Sequence, residues 1–576
     1  MQELFLGNEA VARGLWEAGC RFVSSYPGTP STEITEYAAQ YAEIDAEWAP
    51  NEKVAFEAAH GACIAGARAF CGQKHVGLNV AADPLFTASY TGVNAGLVVA
   101  VADDPGMHSS QNEQDSRHYA RATKIMMLEP ADSRECLEYT KLAFELSEQF
   151  DTPVLLRLST RISHSRSLAE PGAREERALK EYHKNPRKYV MMPAMAKERH
   201  ALVEQRILAQ REWAETCGLN RAEYFDQTIG VICSGINYQY AREALGEGAS
   251  YLKLGCVYPL PERLLKEFCA RCDVVYVAED LDDYIEQHCK ALGLAVRGKD
   301  VFPLLGEFSQ NLIKKAILGE EPPHPVAALQ PPPRPPVLCP GCPHRGLFYA
   351  LKRLDVYVSG DIGCYTLGSL PPLGMLDTCV CMGASVSGLH GRNKANPENA
   401  RKSVAVLGDS TFIHSGITGL INIAYNRSNS VVIILDNSIT GMTGHQQNPT
   451  TGKTLKGDPA AAVSLEALCA AVGIGHVAVV DPYDMKAAEE AIKAALAAGE
   501  PSVVISRRPC ALLKHVKHNP PLRVNEACTG CKSCMRIGCP AVSMKAGEGR
   551  AKAAIDPTQC VGCGLCAQMC RFGSIE

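Results

Sequence analysis

The sequence predicts a multidomain α/β protein that ends in a small cysteine-rich domain. Three observations favour this fold class. Short apolar runs alternate with Ala/Gly-rich helical stretches in three separate regions, which is typical of mostly parallel sheets. A segment with eight prolines in seventeen residues, Glu321 to Val337, divides the chain. Eight cysteines lie in the last 49 residues at the spacing of metal ligands.

Length and composition restrict the class of protein further. The chain has 576 residues, 46% hydrophobic and 21% charged, which predicts several globular domains. A net charge of −5 gives no reason to expect nucleic acid or an anionic membrane as a partner. The uncharged stretch Pro84 to Ala102 is too polar for a membrane span, and we expect a buried strand, loop and helix there. Without a signal peptide at the start, the 25 cysteines predict a reducing cytoplasm and no disulfides.

The changes of pattern along the chain predict six segments. Within them, RFVSSYPGTPSTEI indicates a strand, a loop and a helix start, NEKVAFEAAHGACIAGARAF a helix, and TIGVICSG and DVVYVAED two strands. The predicted segments are 1–160 (α/β), 161–226 (charged helical connector), 227–318 (α/β), 319–337 (proline-rich linker), 338–515 (α/β) and 520–576 (cysteine-rich).

The cysteine-rich segment contains the spacing C-x2-C-x2-C twice, each time followed by a fourth cysteine. This is the bacterial two-cluster ferredoxin pattern, in which the fourth cysteine of each run binds the other cluster. The first run has four residues before its last cysteine where three are usual, and we expect a longer loop with all ligands kept. Zinc sites would need pairs of cysteines separated by a longer spacer. The predicted ligands are Cys528, Cys531, Cys534 and Cys570 for cluster one, and Cys560, Cys563, Cys566 and Cys539 for cluster two.

A second chemical motif lies between Val404 and Gln446, where the pattern is strand, turn, helix, strand and turn. Asp409 and Asn437 each follow one of the strands, so they should meet at the carboxyl edge of a parallel sheet, where ligands of α/β proteins bind. Gly408 allows a diphosphate close to the backbone, and a helix from about Ser415 would direct its positive end toward it. Carboxylate, amide and carbonyl oxygens are the ligands that Mg²⁺ prefers.

This segment resembles the GDG-x(25–30)-N motif of thiamin diphosphate enzymes, with Ser410 in place of the last glycine. The resemblance implies that Asp409, Asn437 and the carbonyl of Ile439 hold Mg²⁺, and that Gly408, Ser410 and Gly441 bind the cofactor. An ordinary Gly-Asp turn of an α/β domain is the alternative.

Three further residues resemble catalytic positions of such enzymes. Glu52, in APNEKVAFEAAHGACIAGARA, resembles the glutamate that bonds to N1′ of the cofactor's aminopyrimidine; a first-turn glutamate favoured by the helix dipole is the alternative. YPGTPST resembles the YPITPS loop of 2-oxoacid:ferredoxin oxidoreductases, which implies that Thr29 faces the reacting carbon, although Thr29-Pro30 also suits a helix start. Arg117, in NEQDSRHYA, would be the arginine that binds the substrate carboxylate.

YPGTPST, NEKVA, CPGCPHR, GDIGCYTLG and MTGHQ, together with the cysteine-rich end, resemble the α subunit of the indolepyruvate:ferredoxin oxidoreductase family over essentially the whole chain. The resemblance implies a pyrimidine-binding thiamin domain over 1–160, a transketolase-C-like domain over 227–318, a diphosphate and Mg²⁺-binding thiamin domain over 338–515 and a 2[4Fe-4S] ferredoxin domain over 520–576. It also implies oxidative decarboxylation of aryl pyruvates with CoA, a β subunit as partner and ferredoxin as electron acceptor.

Related oxidoreductases carry a further cluster beside thiamin, held by a C-x2-C pair and two later cysteines. Cys339, Cys342, Cys364 and Cys510 follow this order, and Cys379 and Cys381 compete for the last place. His344 and His445 are candidate proton carriers, with packing or capping as the alternative.

Three other functions stay open on the sequence. The same chemistry could act on pyruvate, 2-oxoglutarate or phenylglyoxylate, a thiamin decarboxylase could release an aldehyde, or the chain could be an electron carrier without catalysis.

Overall fold

The structure is a computed structural model that describes residues 2–321, 332, 335–546 and 550–576. The chain forms two compact units, Met1–Ala328 and Leu329–Glu576. Most of the proline-rich linker predicted over 319–337 lies outside the described residues.

The first unit is built on a seven-stranded sheet. Its strands run parallel except for one edge strand, Cys256–Tyr258, which comes from the later part of the unit and pairs antiparallel with Met127–Leu128. Strand Leu97–Asp103 is buried along its whole length, as expected for a parallel sheet covered on both faces. The strand order is Asp45–Trp48, Phe22–Ser25, Ala69–Lys74, Leu97–Asp103, Val154–Ser159, Met127–Leu128 and Cys256–Tyr258.

Two smaller sheets complete the first unit. Glu3–Leu6 pairs antiparallel with Arg166–Ala169, which ties the start of the chain to the segment after the large sheet. The other sheet contains three parallel strands and one antiparallel edge strand, in the order Val274–Ala278, Ile229–Ser234, Ser250–Leu254 and Arg221–Glu223.

The connector predicted over 161–226 is helical only in part. A helix spans Pro193–Thr216 and a short one spans Pro186–Tyr189, whereas residues 170–185 contain neither helix nor strand. The charged composition of 170–185 indicated a helix, but the segment runs along the surface of the first unit. The backbone amide of Lys180, for example, donates to the carbonyl of Gly66 at 3.0 Å.

The second unit contains a five-stranded, fully parallel sheet and the cysteine-rich end. The sheet order is Tyr357–Ser359, Ser403–Gly408, Val431–Asp436, Ser502–Arg507 and His476–Val480. In the cysteine-rich end, Val542–Lys545 pairs antiparallel with Lys552–Ile555. A 3₁₀ helix at Ser533–Ile537 and a short α-helix at Leu565–Gln568 accompany the two cysteine runs.

Helices cover both faces of the large sheets. Those of the first unit are Gly7–Glu17, Thr32–Ala38, Glu52–Ile64, His75–Val80, Ala82–Thr91, Arg117–Thr123, Ser133–Phe150, Thr160–His164, Pro186–Tyr189, Pro193–Thr216, Gly235–Leu245, Glu262–Cys269, Tyr284–Ala291 and Gln310–Leu318. Those around the second sheet are His344–Leu354, Cys364–Ser369, Ala384–Ala395, Pro397–Lys402, Asp409–Thr411, Phe412–Gly416, Ile417–Tyr425, Leu465–Ala471 and Met485–Ala497.

The predicted fold class is confirmed by these sheets. The stretch tested as a membrane span folds into helix Ala82–Thr91 followed by strand Leu97–Asp103, so the predicted order of strand, loop and helix is wrong. Among the residues that the structure describes, no helix combines the length and the apolar character needed to cross a bilayer.

Candidate cofactor and iron–sulfur sites

The predicted diphosphate and Mg²⁺ segment lies at the end of two neighbouring parallel strands, Ser403–Gly408 and Val431–Asp436. Helical structure begins at Asp409 itself and not near Ser415, which corrects the sequence prediction, because Asp409 already has helical backbone. Asp409 and Asn437 therefore follow adjacent strands at one carboxyl edge of the sheet, where α/β proteins bind ligands.

Hydroxyl groups join the two loops that follow these strands. The Thr440 hydroxyl donates to the Ser410 hydroxyl oxygen at 3.0 Å. Asn448 Nδ2 donates to Thr440 Oγ1 at 3.4 Å. The loop after the second strand turns at Ser438, which has a φ of +58°. These hydrogen bonds hold the loop that contains Ser410 next to the loop that contains Thr440, so the two candidate Mg²⁺-binding segments lie side by side.

Asp409 is a buried carboxyl group with polar but uncharged partners. It is 2% exposed; its Oδ1 accepts from the backbone amide of Ser410 at 2.8 Å and its Oδ2 accepts from the Thr450 hydroxyl at 3.2 Å. Burial, followed by the negative charge of Asp436, raises the pKa of Asp409 to about 7. No ion pair involves Asp409 within the described residues, whereas Asp436 pairs with Arg507 at 2.6 Å.

These properties fit a divalent cation bound at Asp409. A buried carboxylate without a cationic partner is costly, and a metal ion removes that cost. The amide of Asn437 and the backbone at Ile439 lie in the adjoining loop, where Asn437 Oδ1 accepts from the Ile439 amide at 3.4 Å. Such a long hydrogen bond is easily replaced by a metal contact.

Gly408 and Gly441 both lie against larger groups. A Cβ atom at Gly408 would lie 3.0 Å from the ring of Tyr365, and one at Gly441 would lie 3.4 Å from Cys364 Sγ and 3.8 Å from Asn437 Nδ2. Tyr365, which the sequence reasoning did not single out, donates its hydroxyl to the Ile362 carbonyl at 2.6 Å. Its place in the motif GDIGCYTLG was the available signal.

Four cysteines of the second unit lie near one another, and we call them the four-thiol group. The backbone amide of Cys342 donates to the carbonyl of Cys339 at 3.1 Å, and that of Cys510 donates to the Asn437 carbonyl at 2.9 Å. Burial, with smaller contributions from the charges of Cys510 and Cys339, raises the pKa of Cys364 to about 11. The group consists of Cys339, Cys342, Cys364 and Cys510.

Burial disfavours the thiolate form of these cysteines, and an iron–sulfur cluster offsets that cost because it binds them as thiolates. The rival residues Cys379 and Cys381 lie elsewhere. Both are exposed. After burial, the charge of Asp361 raises the pKa of each thiol, and the charge of Cys381 also raises the pKa of Cys379.

The cysteine-rich end separates into two sets of four thiols. A hollow that is partly open to solvent is lined by Cys528, Cys531, Cys534 and Cys570. Burial raises the pKa of Cys566 to about 12, and the charges that raise it further belong first to Cys563, Cys539 and Cys560, and last to Cys534 of the other set. The structure thus groups the cysteines in the crossed arrangement that the spacing predicts, and each set suits one cluster.

Glu52 begins helix Glu52–Ile64 in the first unit and is 5% exposed. Its carboxyl group packs on Gly77, where a Cβ atom would lie 2.6 Å from Glu52 Oε1. The helix is capped by Asn51, whose side chain accepts from the Val54 amide at 2.9 Å. Glu52 is therefore not needed as a cap and is buried, unlike the solvated first-turn glutamate of the alternative interpretation.

Thr29 lies in the loop between strand Phe22–Ser25 and helix Thr32–Ala38 and is half-buried. The helix is preceded by Ser31 at its N-cap, so Thr29 does not cap it. The alternative interpretation of Thr29-Pro30 as a helix start is wrong.

The structure does not support the expected role of Arg117 in binding a substrate carboxylate. Its side chain is fully buried, and its guanidinium group contacts Asp115 at 2.5 Å and Glu279 at 2.6 Å. It also donates to the carbonyls of Asp280 at 3.0 Å and Asp282 at 3.2 Å. All three guanidinium nitrogens of Arg117 are hydrogen-bonded to protein acceptors. Arg117 therefore forms structural ion pairs in this unit.

Lys74 is a buried cation that the sequence reasoning missed. It ends strand Ala69–Lys74 and is 9% exposed, and its Nζ donates to the Ser109 carbonyl at 2.9 Å. Its stem packs on the YPGTP loop, since a Cβ atom at Gly28 would lie 3.2 Å from Lys74 Cγ. Burial lowers the pKa of Lys74, while the charges of Asp104 and Glu52 oppose this.

The two candidate proton carriers differ in exposure. His344 is buried against the ring of Tyr365, and burial lowers its pKa to about 4, so it is neutral near pH 7 and packs as an aromatic ring. His445 is exposed, with Nε2 3.8 Å from Cys510 Sγ.

Comparison with known proteins places the chain in one family. It is 41% identical to indolepyruvate oxidoreductase subunit IorA of Pyrococcus horikoshii, over 100% of this chain and 96% of that protein. The IorA subunits of Archaeoglobus fulgidus (41% identity, 99% of this chain and 97% of that protein) and Thermococcus kodakarensis (42%, 100% and 96%) are equally similar. The chain belongs to the IorA family.

Three family models match parts of this IorA-family chain. Residues 13–225 match the model "Pyruvate flavodoxin/ferredoxin oxidoreductase, thiamine diP-bdg", and residues 361–506 match "Thiamine pyrophosphate enzyme, C-terminal TPP binding domain". Residues 553–576 match "4Fe-4S binding domain". The predicted family is confirmed, and the chain is an oxidoreductase subunit with thiamin-type domains and a 4Fe-4S domain.

Proposed function

We propose that this chain catalyses the oxidative decarboxylation of aryl 2-oxo acids such as indolepyruvate with CoA. The products are an arylacetyl-CoA and CO2, and two electrons pass to two molecules of oxidised ferredoxin. The name of the similar relatives supports the substrate class. The observation that carries the reaction type is the buried, uncompensated carboxyl group of Asp409, together with four thiols that adjoin the loop of Asn437.

Asp409, Asn437 and the Ile439 carbonyl would hold Mg²⁺ and, through it, the diphosphate of the cofactor, with Gly408, Ser410 and Gly441 lining the site. Thiamin diphosphate supplies the nucleophilic carbon when it is bound. Glu52 would bond to the aminopyrimidine and control its tautomer, and Thr29 would face the substrate. Lys74 replaces Arg117 as the cation that we assign to the substrate carboxylate, because it packs on the YPGTP loop.

The cysteines would hold two [4Fe-4S] clusters in the cysteine-rich end and a third in the four-thiol group. Such clusters supply one-electron carriers when they are bound. Cluster one would lie nearest to solvent, because Cys531 and Phe572 are exposed and border its hollow. A ferredoxin could approach there. We further propose that a β subunit completes the enzyme and that it works in the cytoplasm.

The test uses the chain purified without oxygen together with its β subunit. Initial rates of ferredoxin reduction are measured with CoA and, separately, indolepyruvate, pyruvate, 2-oxoglutarate and phenylglyoxylate. We expect the highest kcat/KM with indolepyruvate. A preference for another 2-oxo acid would overturn the substrate assignment, and aldehyde release without ferredoxin reduction would indicate a decarboxylase. About twelve irons per chain would indicate three clusters, and about eight would remove the third, at four irons each.

A further inference from the structure

Two cysteine-bearing turns of the second unit are in direct contact. Gly341 lies in the turn that carries the first pair of the four-thiol group, and Val561 directly follows Cys560 of cluster two. A Cβ atom at Gly341 would lie only 2.1 Å from Val561 Cγ2, and Gly341 has a φ of +68°. Only glycine permits this approach, so the two sets of thiols are packed against each other.

Arg345 stabilises the contact between these two turns by hydrogen bonds. It lies in the first turn of helix His344–Leu354 and is 3% exposed. On one side its Nε donates to the Cys339 carbonyl at 3.2 Å, and its Nη2 donates to the carbonyl of the residue before Cys339. On the other side its Nη1 donates to the carbonyls of Ile537, at 3.1 Å, and Gly538. The guanidinium group thus spans from the four-thiol group to the loop that ends at Cys539.

The lengthened loop of the first cysteine run forms the other half of this contact. Gly538 is the last of the four residues that precede Cys539, where three are usual. It has a φ of +67°, and a Cβ atom there would lie 2.8 Å from Pro372 Cδ and 3.2 Å from Arg345 Nη1. The lengthened loop therefore presents two carbonyl groups to Arg345.

The positive charge of Arg345 acts on both sets of thiols. The groups that interact with it electrostatically are Cys342 and Cys339 of the four-thiol group, and Cys539 and Cys563 of cluster two. Reduction adds a negative charge to a thiolate-bound cluster, and a buried cation stabilises that charge more strongly than an exposed one.

We propose that Arg345 is a positioning residue that holds cluster two against the four-thiol group and raises the reduction potential of cluster two. The inference rests on the proposed assignment of the tail cysteines to two clusters. A purely structural role would need the hydrogen bonds alone, whereas this role also needs the charge. Lysine keeps the charge and loses most of the hydrogen bonds, and glutamine loses the charge, so the two substitutions separate the roles.

The experiment is a potentiometric titration of the complete enzyme complex, followed by electron paramagnetic resonance of the reduced clusters. It compares Arg345→Gln, Arg345→Lys and a control, Arg353→Gln, on the same helix; Arg353 is 57% exposed and pairs with Glu489. At a fixed potential we expect the ratio of reduced to oxidised cluster two to be about tenfold lower in R345Q, which corresponds to ~59 mV for a one-electron couple. The reduction potential of cluster two in R345K should lie close to the wild-type value, and the potential in R353Q should equal it.

A wild-type potential in R345Q would overturn the proposal, and so would equal shifts in R345K and R345Q. Incomplete loading does not obscure the result, because the resonance signal comes only from clusters that are present. If R345Q binds no clusters, the result for R345K is decisive. A wild-type potential of cluster two in R345K would support the role of the charge. A tenfold change in the ratio of reduced to oxidised cluster two in R345K would contradict it. Failure of the proposed function would look different, since the wild-type complex itself would then lack the cluster signals.

Discussion

The large parallel sheets of the two units place acidic groups at their carboxyl edges in opposite electrostatic surroundings. In the first unit, Arg157 contacts Asp103 at 2.7 Å and Glu129 at 2.6 Å, and Arg117 pairs with two further buried acids. In the second unit, Asp409 is equally buried but has only hydroxyl and amide partners. The carboxyl edge alone does not identify a ligand site. In the second unit, the site that we propose for Mg²⁺ coincides with a buried acid that pairs with no cationic side chain among the described residues.

The first prediction concerns Glu52, the one acid of the first unit that we assign to the cofactor. Glu52→Gln should lower turnover by roughly 10²–10⁴-fold, because the bond to the aminopyrimidine controls a proton transfer. The iron content should stay unchanged. Ferredoxin reduction and iron are measured on the same samples.

Glu57→Gln is the matched control, since Glu57 lies on the same helix and is exposed. A chain that only carried electrons would be indifferent to both substitutions. Wild-type turnover in E52Q would therefore contradict the assignment.

The second prediction tests whether Arg117 is structural. Arg117→Met leaves Asp115 and Glu279 buried without their partner, which should lower the free energy of unfolding of the first unit by about 3–5 kcal/mol. The KM for the 2-oxo acid should hardly change. Urea unfolding followed by tryptophan fluorescence measures this unit specifically, because Trp16, Trp48 and Trp213 all belong to it.

Lys74→Met provides the contrast, because its expected effect is a raised KM for the 2-oxo acid. If R117M instead raised KM at unchanged stability, Arg117 would be the substrate-binding cation after all.

The third prediction concerns the uncompensated acid of the second unit. Asp409→Asn should weaken binding of Mg²⁺ and thiamin diphosphate by at least about 100-fold, since even indirect partners of a metal contribute 10–100-fold. Cofactor content after gel filtration, and calorimetric titration with Mg²⁺ and thiamin diphosphate, measure this loss.

Asp355→Asn is the control, because Asp355 is exposed and has a φ of +52°, which asparagine tolerates. Wild-type binding of Mg²⁺ and thiamin diphosphate by D409N would show that the unpaired charge of Asp409 does not distinguish the second sheet from the first.

The smallest effect belongs to a compensated acid of the first unit. Glu148 accepts from Arg68 at 2.9 Å and pairs with Lys180 at 2.9 Å, and these cations outweigh its burial and lower its pKa to about 2. Because the folded-state pKa lies below the ordinary value of 4.5, its contribution is complete above pH 4.5 and is lost as the pH falls toward 2.

Glu148→Gln should therefore lower the free energy of unfolding at pH 7 by about 1 kcal/mol. The difference from wild type should shrink below pH 4.5. Tryptophan fluorescence in urea at several pH values measures it, and a difference that does not depend on pH would contradict the ion-pair account.

Local patterns predicted the parts of the sites that neighbouring residues build. The alternation from Val404 to Asn437 placed both strands and the turn, and the spacing of the tail cysteines predicted the grouping seen in the structure. These predictions succeed because strand ends and short cysteine runs are set by the adjacent backbone.

Contacts between distant residues could not be predicted in this way. The role of Arg117 depends on Glu279, 162 residues later, and that of Arg345 depends on carbonyls 192 and 193 residues later. Neither sequence segment contains a signal for its partner. The choice of Cys510 over Cys379 likewise depends on how the chain returns to the loop at Asn437.

The most direct test of the central claim is to mix the oxidised, cofactor-loaded complex with indolepyruvate and CoA, without ferredoxin, and to follow the visible absorbance of its clusters. The account predicts bleaching that requires both thiamin diphosphate and Glu52. Clusters that bleach with dithionite but stay oxidised with every 2-oxo acid tested, in a complex with its full thiamin content, would contradict it.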